Sequence, residues 1–284
     1  MSGLVDGKVA FVTGAARGQG RSHAIRLAEE GADIIAVDIC GQLGSVPYPM
    51  ATEADLAQTV AEVEALGRRI RAFLADVRDF KQLDRVLEEG VADLGRLDIV
   101  SANAGIFTVG LAHELAESSW NEMIDVNLRG VWYTAKAAIP HLIAGGGGSI
   151  ILTSSANGLV SNPGYAHYCA AKAGVVGMAK SLAMELASHR IRVNVLCPGG
   201  VLTGMTRDYR DVGLRSVRYV GPSAPPANWD FLMDPVDMSD VVVFLASELS
   251  RYVTGIAIPV LGHGLKAADR AHAARKLATT RAES

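Results

Sequence analysis

Short apolar runs rich in β-branched residues alternate along the chain with longer runs in which apolar positions recur at helical spacing. The first cycle reads KVAFVTG, then GRSHAIRLAEEG, then ADIIAVD. The short runs are continuously apolar, which is typical of parallel strands that are covered on both faces. Repeated strand–helix–strand units form right-handed crossovers. The pattern therefore predicts an α/β fold, with one doubly wound domain and a seven-stranded parallel sheet.

Two stretches interrupt this rhythm, and a tail follows it. The first stretch, residues 39–54, contains two prolines and separates the second strand from its helix; it is called the insertion below. The second stretch, residues 204–234, is too long for an ordinary connection, and loops of that length are typical of lids over binding sites. We expect one domain over residues 1–265 and an Ala-rich tail over residues 266–284, to which the sequence assigns no function.

The composition argues against several classes of function. Of the 284 residues, 49% are hydrophobic and 20% are charged, and the formal net charge is -3. Lysine and arginine do not cluster, so no surface for nucleic acid is expected. The chain has no apolar run long enough to span a bilayer and no signal-peptide pattern at its start. Three cysteines without metal-ligand spacing favour reduced thiols, no bound metal and a soluble cytoplasmic protein.

A glycine-rich turn, TGAARGQG over residues 13–20, follows the first strand and opens the first helix. Gly14, Gly18 and Gly20 permit a tight turn and a close approach of the backbone to a pyrophosphate. The helix N-terminus that follows offers unpaired N–H groups to the phosphates. This turn, with Arg17 and Gln19 between its glycines, is therefore predicted to bind a dinucleotide.

Asp38 ends the second strand, 18 residues after Gly20, where an acidic side chain hydrogen-bonds the hydroxyls of the adenosine ribose. Its charge would repel a 2′-phosphate, and the next residue, Ile39, brings no compensating cation. Arg17 is the opposing feature, because a guanidinium in the glycine-rich turn could hold such a phosphate. The balance favours NAD over NADP as the cofactor.

Further candidates for cofactor binding end the next two strands. Asp76, in ADVRD, suits a contact to the adenine amino group, and Val77 lies beside it. Asn103, Ala104 and Gly105 end the fourth strand with small residues where the backbone must lie against the cofactor. Because ligands bind at the carboxyl ends of strands in such sheets, these residues are expected to line one groove.

A phenol and an ammonium stand one helical turn apart in GYAHYCAAKAG, where Tyr168 precedes Lys172 by four residues. On a helix both side chains emerge from the same face. An isolated tyrosine and lysine at this spacing are more often a surface tyrosine packed on the lysine side chain. Whether the two residues are functional therefore depends on which other side chains lie close to them. Ser155 ends the fifth strand, and Asn127 lies within a long apolar helix expected over about 117–144.

Together these motifs resemble the short-chain dehydrogenase/reductase family, in order and over nearly the whole chain. The resemblance implies a Rossmann fold and an oxidoreductase that transfers a hydride between an alcohol and a nicotinamide. It also implies a homotetramer, in which the helix at 117–144 and the helix carrying Tyr168 pair across a two-fold axis. The elements that carry it are Gly14-x-x-x-Gly18-x-Gly20, Asn103-Ala104-Gly105, Asn127, Ser155, Tyr168-x-x-x-Lys172 and Pro198-Gly199-x-x-x-Thr203.

The resemblance implies a role for each polar residue. Tyr168 would take the proton of the alcohol. The ordinary pKa of a phenol is about 10, too high for a base at neutral pH. The positive charges of Lys172 and of oxidised nicotinamide would favour the phenolate. Ser155 would orient the substrate oxygen, and Asn127 would hold a water that links Lys172 to solvent. The residues that would cradle the nicotinamide are Pro198, Gly199, Val201 and Thr203.

The insertion narrows the resemblance. Together with the turn TGAARGQGRSHA, it resembles the mycofactocin-associated group, which includes carveol dehydrogenases. That resemblance implies NAD that is held unusually tightly and re-oxidised by an external redox carrier, mycofactocin, rather than by exchange. We expect the insertion to cover the adenosine end of the cofactor; the alternative is a solvent loop without kinetic effect.

The substrate and the direction of the reaction stay open. Apolar residues in 204–234 suggest an apolar substrate such as a cyclic terpenoid or another secondary alcohol, although most of them could simply seat the lid on the core. One alternative is an NADPH-dependent ketoreductase of fatty-acid or polyketide type. Another is a non-catalytic nucleotide-sensing regulator, against which the presence of Asn127, Ser155, Tyr168 and Lys172 argues. The apolar lid residues are Met205, Tyr209, Leu214, Tyr219, Trp229, Phe231, Leu232 and Met233.

Overall fold

The computed structural model describes residues 3–206 and 232–262. The strands are β1 (Val9–Thr13), β2 (Asp33–Asp38), β3 (Ile70–Leu74), β4 (Ile99–Ala102), β5 (Gly148–Thr153), β6 (Ile191–Pro198) and β7 (Ala257–Val260). The α-helices are α1 (Gly18–Glu29), α2 (Glu53–Ala65), α3 (Phe80–Leu94), α4 (Glu117–Ile124), α5 (Gly130–Ala144), α6 (Ala166–Glu185) and α7 (Pro235–Ala246).

The seven strands form one sheet in the order β3-β2-β1-β4-β5-β6-β7. Every neighbouring pair is parallel, with Phe11 opposite Ile35 and Leu152 opposite Val195. The predicted doubly wound α/β fold is therefore confirmed. The chain runs outward from β1 to β3 and then returns to place β4 on the other side of β1. A crevice for ligands forms at the carboxyl ends of the strands where the order reverses in this way.

Alternate side chains of each strand face two different apolar layers. Phe11 and Ile35 belong to the layer that includes α3, α5 and α6. Val12 and Ile34 belong to the layer that includes α1, α2 and α7. Because both faces of the sheet are covered, polar side chains have no solvated face to occupy, which explains the continuously apolar strands.

The helix expected over about 117–144 is present, but it contains a π-helical turn that was not expected. Helix α4 ends at Ile124, and Asp125–Arg129 form a π-helical turn before α5 begins at Gly130. A π-helical turn within a helix is rare and is frequently found at functional sites. This one carries Asn127, one of the predicted catalytic residues.

The insertion forms neither helix nor strand before α2 begins, yet Leu43, Val46 and Tyr48 within it are buried. Its end is defined by a capping box. The Thr52 hydroxyl accepts a hydrogen bond from the Asp55 backbone N–H at 3.2 Å, and the Asp55 carboxylate accepts one from the Thr52 N–H at 2.8 Å. This reciprocal pair satisfies N–H groups that the first turn of α2 would otherwise leave unpaired.

Some sequence predictions fall outside the described residues. They are the lid residues between 207 and 231 and the tail over 266–284. At the ends of the lid, Leu232 and Met233 are buried and Met205 packs against the core. The extent of the domain, residues 1–265, stays a prediction. Within the two described ranges, none of the helices combines the length and apolar character that crossing a bilayer requires.

Candidate active site

A cavity of about 490 Å³ lies at the carboxyl ends of the strands. Small-molecule sites occupy about 300–1,000 Å³, so this volume suits one. All of the predicted site residues except Gly20 line this cavity. They are Gly14, Arg17, Gly18, Gln19, Asp38, Ile39, Asp76, Val77, Asn103, Ala104, Gly105, Asn127, Ser155, Tyr168, Lys172, Pro198, Gly199, Val201 and Thr203.

The glycine-rich turn is shaped by its glycines in two different ways. Gly14 and Gly18 have φ values of 68° and 58°, in the left-handed region that glycine adopts without strain. Gly20 lies beneath the turn, where a side chain would collide with the carbonyl oxygen of Gly14. The turn can therefore close against α1 and leave the N-terminus of that helix open to the cavity.

Asp38 is buried at the end of β2, and its carboxylate holds backbone on two sides. One oxygen accepts from the Ala16 N–H in the glycine-rich turn at 3.0 Å, and the other accepts from the Cys40 N–H at 3.1 Å. Cys40 has a φ of 45°, so the chain leaves the strand in a left-handed conformation that directs the insertion across the cavity. Asp38 thus fixes the turn and the start of the insertion together.

Asp76 belongs to an ion-pair network that sequence reasoning did not find. Its carboxylate accepts hydrogen bonds from the Arg78 guanidinium, from Nη2 at 2.6 Å and from Nε at 2.9 Å. Arg78 also donates to Glu122 at 2.9 Å, and Glu122 accepts from the backbone N–H of Ser45 at 3.1 Å and from its hydroxyl at 2.5 Å. The network joins the expected adenine contact to the insertion.

The insertion is held across the cavity at two more points. Arg17 donates through Nη2 to the carbonyl oxygen of Pro49 at 2.7 Å, so the glycine-rich turn is hydrogen-bonded directly to the insertion. Tyr48 reaches past the nucleotide groove, and its hydroxyl accepts from the Phe107 N–H at 3.0 Å. Within the insertion, the Gln42 amide donates to Val46 at 2.9 Å. Leu43, Tyr48, Met50 and Ala51 line the cavity.

The catalytic candidates lie on regular elements. Tyr168 and Lys172 occupy successive turns of α6, and the Lys172 Nζ lies 5.8 Å from the centre of the Tyr168 ring. The Nζ donates to the carbonyl oxygen of Thr153, the last residue of β5, at 2.9 Å. Ser155 follows β5 and is hydrogen-bonded to Tyr168. A strand end and a helix face therefore bring the three side chains together.

Burial dominates the electrostatics of this pair. It raises the pKa of Tyr168 to about 12, against the opposing effect of the hydrogen bond to Ser155. It also lowers the pKa of Lys172 to about 8. Both shifts have the same cause, because a buried site disfavours the charged form of each group. The protein alone thus favours the neutral phenol of Tyr168. The phenolate that Lys172 is expected to favour must form against this effect of burial.

Asn127 is fully buried. Its side-chain amide forms hydrogen bonds with both backbone groups of one residue in the segment after β4. Its Oδ1 accepts from the Ile106 N–H at 2.9 Å, and its Nδ2 donates to the Ile106 carbonyl at 2.8 Å. Gly105 lies between this amide and the ammonium of Lys172: a Cβ on Gly105 would be 2.7 Å from Asn127 Oδ1. Only glycine fits between them.

The far end of the cavity is built from the chain that follows β6. Pro198 ends that strand, and the Gly199 N–H continues its pairing with β7 at 2.8 Å. Val201 forms an isolated parallel bridge with Met233, which fastens both ends of the 204–234 segment near the cavity. Thr203 donates its N–H to Thr206 at 2.9 Å.

The residues present fit a dinucleotide. The open helix N-terminus and the glycine turn suit a pyrophosphate, and Asp38 suits a ribose without a 2′-phosphate. Gln19 Oε1 is buried and has no hydrogen-bond partner among the described residues, which leaves an acceptor at the mouth of the turn. The aromatic and aliphatic lining at the Tyr168 end suits a flat ring and an apolar substrate.

A doubly wound sheet with a dinucleotide groove and a tyrosine–lysine pair at its far end defines a nicotinamide-dependent oxidoreductase. Residues 8–212 match the short chain dehydrogenase family. The chain belongs to this family, and the resemblance seen in its motifs is confirmed.

Individual relatives are similar over almost their whole length. The chain is 50% identical to (-)-trans-carveol dehydrogenase of Rhodococcus erythropolis over 270 residues, which are 90% of this chain and 96% of that protein. The crystal structure of carveol dehydrogenase from Mycobacterium avium in complex with NAD has a TM-score of 0.85 and 48% identity, covering 92% of this chain and 98% of the other. A short-chain dehydrogenase from Mycobacterium paratuberculosis bound to NAD has a TM-score of 0.87 and 46% identity, covering 91% and 97%.

Proposed function

We propose that this protein is an NAD-dependent dehydrogenase of apolar secondary alcohols. The observation that carries the proposal is the placement of Ser155, Tyr168 and Lys172 in the same cavity as the glycine-rich turn and Asp38. A nucleotide laid along the strand ends from Asp38 would bring its reactive ring to the tyrosine–lysine pair. Similarity to a (-)-trans-carveol dehydrogenase supports the class of substrate.

In this proposal Ser155 and Tyr168 act directly on the alcohol, and Lys172 and Asn127 act through neighbouring groups. When bound, NAD accepts the hydride from the carbinol carbon and brings the positive charge of its nicotinamide into the cavity. The Ser155 hydroxyl orients the alcohol oxygen. Tyr168 takes the alcohol proton as general base in its phenolate form, which the positive charges of Lys172 and of oxidised nicotinamide would favour. The Lys172 ammonium adds positive charge beside the phenol. Asn127 fixes the chain after β4, and the water that it was predicted to hold would link Lys172 to solvent.

NAD is favoured over NADP because Asp38 is buried and uncompensated where a 2′-phosphate would lie. Arg17, the possible counter-ion, is engaged with Pro49 in the insertion. Both structural neighbours described above contain NAD, in agreement with this choice. The NADPH-dependent ketoreductase is disfavoured on the same ground. A nucleotide-sensing regulator would not need the hydrogen bond between Ser155 and Tyr168.

The insertion is proposed to retain NAD. Two of its contacts beyond β2, Pro49 with Arg17 and Ser45 with Glu122, tie it to the glycine-rich turn and to the ion-pair network of Asp76. Release of the adenosine end would require these contacts to break. A cofactor that does not exchange must be re-oxidised in place, so an external redox carrier of the mycofactocin type is the proposed electron acceptor.

A homotetramer is proposed from two apolar faces. On α4 and α5, Trp120 and Trp132 are 41% and 42% exposed. Near the end of α6 and in the segment after α7, Met184, Leu249 and Tyr252 are exposed by 83%, 63% and 90%. Two self-complementary faces on one chain generate a tetramer with two-fold axes. The cytoplasmic location inferred from the cysteines stays a prediction.

Native mass spectrometry of the purified protein tests the proposal in one measurement. We expect a tetramer with one NAD per chain, and denaturation should release unmodified NAD. A dye-coupled assay with a cyclic secondary alcohol should then give turnover without added nucleotide. Bound NADP, or turnover only with added NADPH and a ketone, would replace the proposal with the ketoreductase.

A further inference from the structure

Three consecutive residues after β4 are each held by a side chain from a different part of the fold. Asn127, in the π-helical turn, bonds both backbone groups of Ile106. The hydroxyl of Tyr48, in the insertion, accepts from the Phe107 N–H at 3.0 Å. The hydroxyl of Thr108 lies 2.7 Å from the Nε2 of His167, the residue before Tyr168. This segment is therefore fixed from outside rather than by strand pairing.

The middle residue of the three supplies a wall next to the reacting atoms. The Phe107 ring lies edge-on to the Tyr168 ring, with 4.9 Å between centroids and 80° between planes. It also lies edge-on to the Tyr165 ring, at 5.0 Å and 86°. Such edge-to-face contacts fix the relative orientation of rings. The position of the Phe107 backbone thus sets how much room remains beside Tyr168 for the carbon skeleton of an alcohol.

We propose that Tyr48 is a positioning residue for the substrate: by holding the Phe107 backbone, it sets the shape of the wall beside Tyr168 and so the range of alcohols accepted. This proposal rests on the proposed alcohol dehydrogenase activity. It gives the insertion a second role at the substrate end, separate from the retention of NAD at the adenosine end.

The surroundings of Tyr48 suit this role. The side chain is buried, with 3% of its surface exposed, so its hydroxyl keeps one fixed position. Burial raises the pKa of the phenol above its usual value, which keeps the hydroxyl neutral. The next contacts of the insertion, through Ser45 and Pro49, lead to Glu122 and Arg17 and do not touch the wall.

Tyr48→Phe tests the proposal, because it keeps the ring and removes the acceptor of the Phe107 N–H. Hydrogen exchange followed by mass spectrometry should show faster exchange in peptides that cover residues 105–109, by about tenfold, the loss expected for one buried hydrogen bond. Ser45→Ala is the matched control: it removes another anchor of the insertion and should leave exchange in residues 105–109 unchanged.

The second readout is substrate preference. In Tyr48→Phe, kcat/KM for a cyclic secondary alcohol should fall about tenfold relative to that for 2-propanol, while the NAD content per chain stays the same. Phe107→Leu, which shortens the wall and leaves the Tyr48 hydroxyl in place, should shift the preference in the same direction. Ser45→Ala should not shift it.

The outcomes distinguish failure of the positioning role of Tyr48 from failure of the proposed dehydrogenase activity. Unchanged exchange at 105–109, or an equal loss of kcat/KM for every alcohol, would overturn the role of Tyr48 while leaving the dehydrogenase intact. A wild-type protein that oxidises neither alcohol with any dye would instead reject the proposed function and, with it, this role.

Discussion

The end of the cavity that holds the proposed catalytic residues and the insertion beside it are built by different means. Tyr168 and Lys172 lie on α6, where regular hydrogen bonding fixes their backbones, and Ser155 follows β5 at the start of a short 3-10 turn. The insertion has no regular structure, and its position depends on individual side chains such as Arg17, Glu122 and Tyr48. One region is positioned by the scaffold and the other by a few long-range contacts.

This difference separates two tasks. Acid–base chemistry needs groups held in one geometry, and helices and strands supply that at low cost. Cofactor retention needs a segment that closes after the nucleotide has entered, and a loop with few anchors can open locally. We therefore expect substitutions of the proposed catalytic residues to abolish turnover but spare cofactor binding, whereas loss of the anchors at Arg17 and Glu122 should release NAD and leave the chemistry intact.

The largest expected effect is at Tyr168. Tyr168→Phe should lower kcat by about 10²–10⁴, the contribution of a general base, while the protein still carries NAD. Dye-coupled turnover and quantification of released nucleotide measure the two effects. Tyr133→Phe is the control, because its ring packs on Phe80 away from the cavity, and it should keep kcat within about twofold. Residual turnover near the wild-type rate would remove Tyr168 from its role.

Replacing residues 41–50 with a short Gly-Ser link should have the opposite signature. Exchange of bound NAD should accelerate about a hundredfold, as expected from the loss of several hydrogen bonds of about 1 kcal/mol each, and turnover with added NAD should appear. Dissociation of NAD into an excess of a labelled competitor gives the rate. If the intact protein already exchanges NAD freely, the insertion is an ordinary solvent loop.

A smaller change is expected at the end of β2. Asp38→Ala combined with Ile39→Arg should shift the ratio of affinities for NADP and NAD about tenfold toward NADP, because repulsion is replaced by attraction. Calorimetry on protein stripped of nucleotide measures both affinities. Ile39→Arg alone keeps the carboxylate and separates the two contributions. Loss of NAD affinity without any gain for NADP would contradict this view of Asp38.

The smallest effect is expected for Glu122→Gln, which weakens a single anchor of the insertion. NAD dissociation should accelerate about fivefold, equivalent to about 1 kcal/mol, with kcat unchanged. The matched control is Glu185→Gln, since Glu185 also accepts from a serine hydroxyl but at an exposed helix surface. If both variants release NAD at the wild-type rate, the ion-pair network does not contribute to retention.

The sequence allowed the sheet and a set of site residues to be predicted, nearly all of which line the cavity, because both depend on short-range patterns. Strand burial leaves a continuous apolar run, and Tyr168 and Lys172 are related by helical spacing alone. The anchors of the insertion could not be predicted in this way. Arg17 and Pro49 are 32 residues apart, Tyr48 and Phe107 are 59 apart, and Ser45 and Glu122 are 77 apart.

The π-helical turn at Asn127 was missed for a related reason. Its sequence, DVNLR, contains nothing that breaks a helix, and the contact that accompanies the turn, between Asn127 and Ile106, joins residues 21 apart in the chain. Local propensity cannot reveal a register change that tertiary contacts impose.

The capping box at Thr52 and Asp55 makes the insertion a transferable cassette. Because Asp38 holds the segment where it leaves the sheet and the box fixes where α2 begins, we expect that the residues between them can be exchanged without altering either neighbour. On the retention of NAD proposed above, we expect that grafting the cassette into a relative that uses diffusing NAD, together with counterparts of Arg17 and Glu122, yields a catalyst that carries its own cofactor. Such a catalyst would need only an electron acceptor in the reaction vessel and no supply of nucleotide.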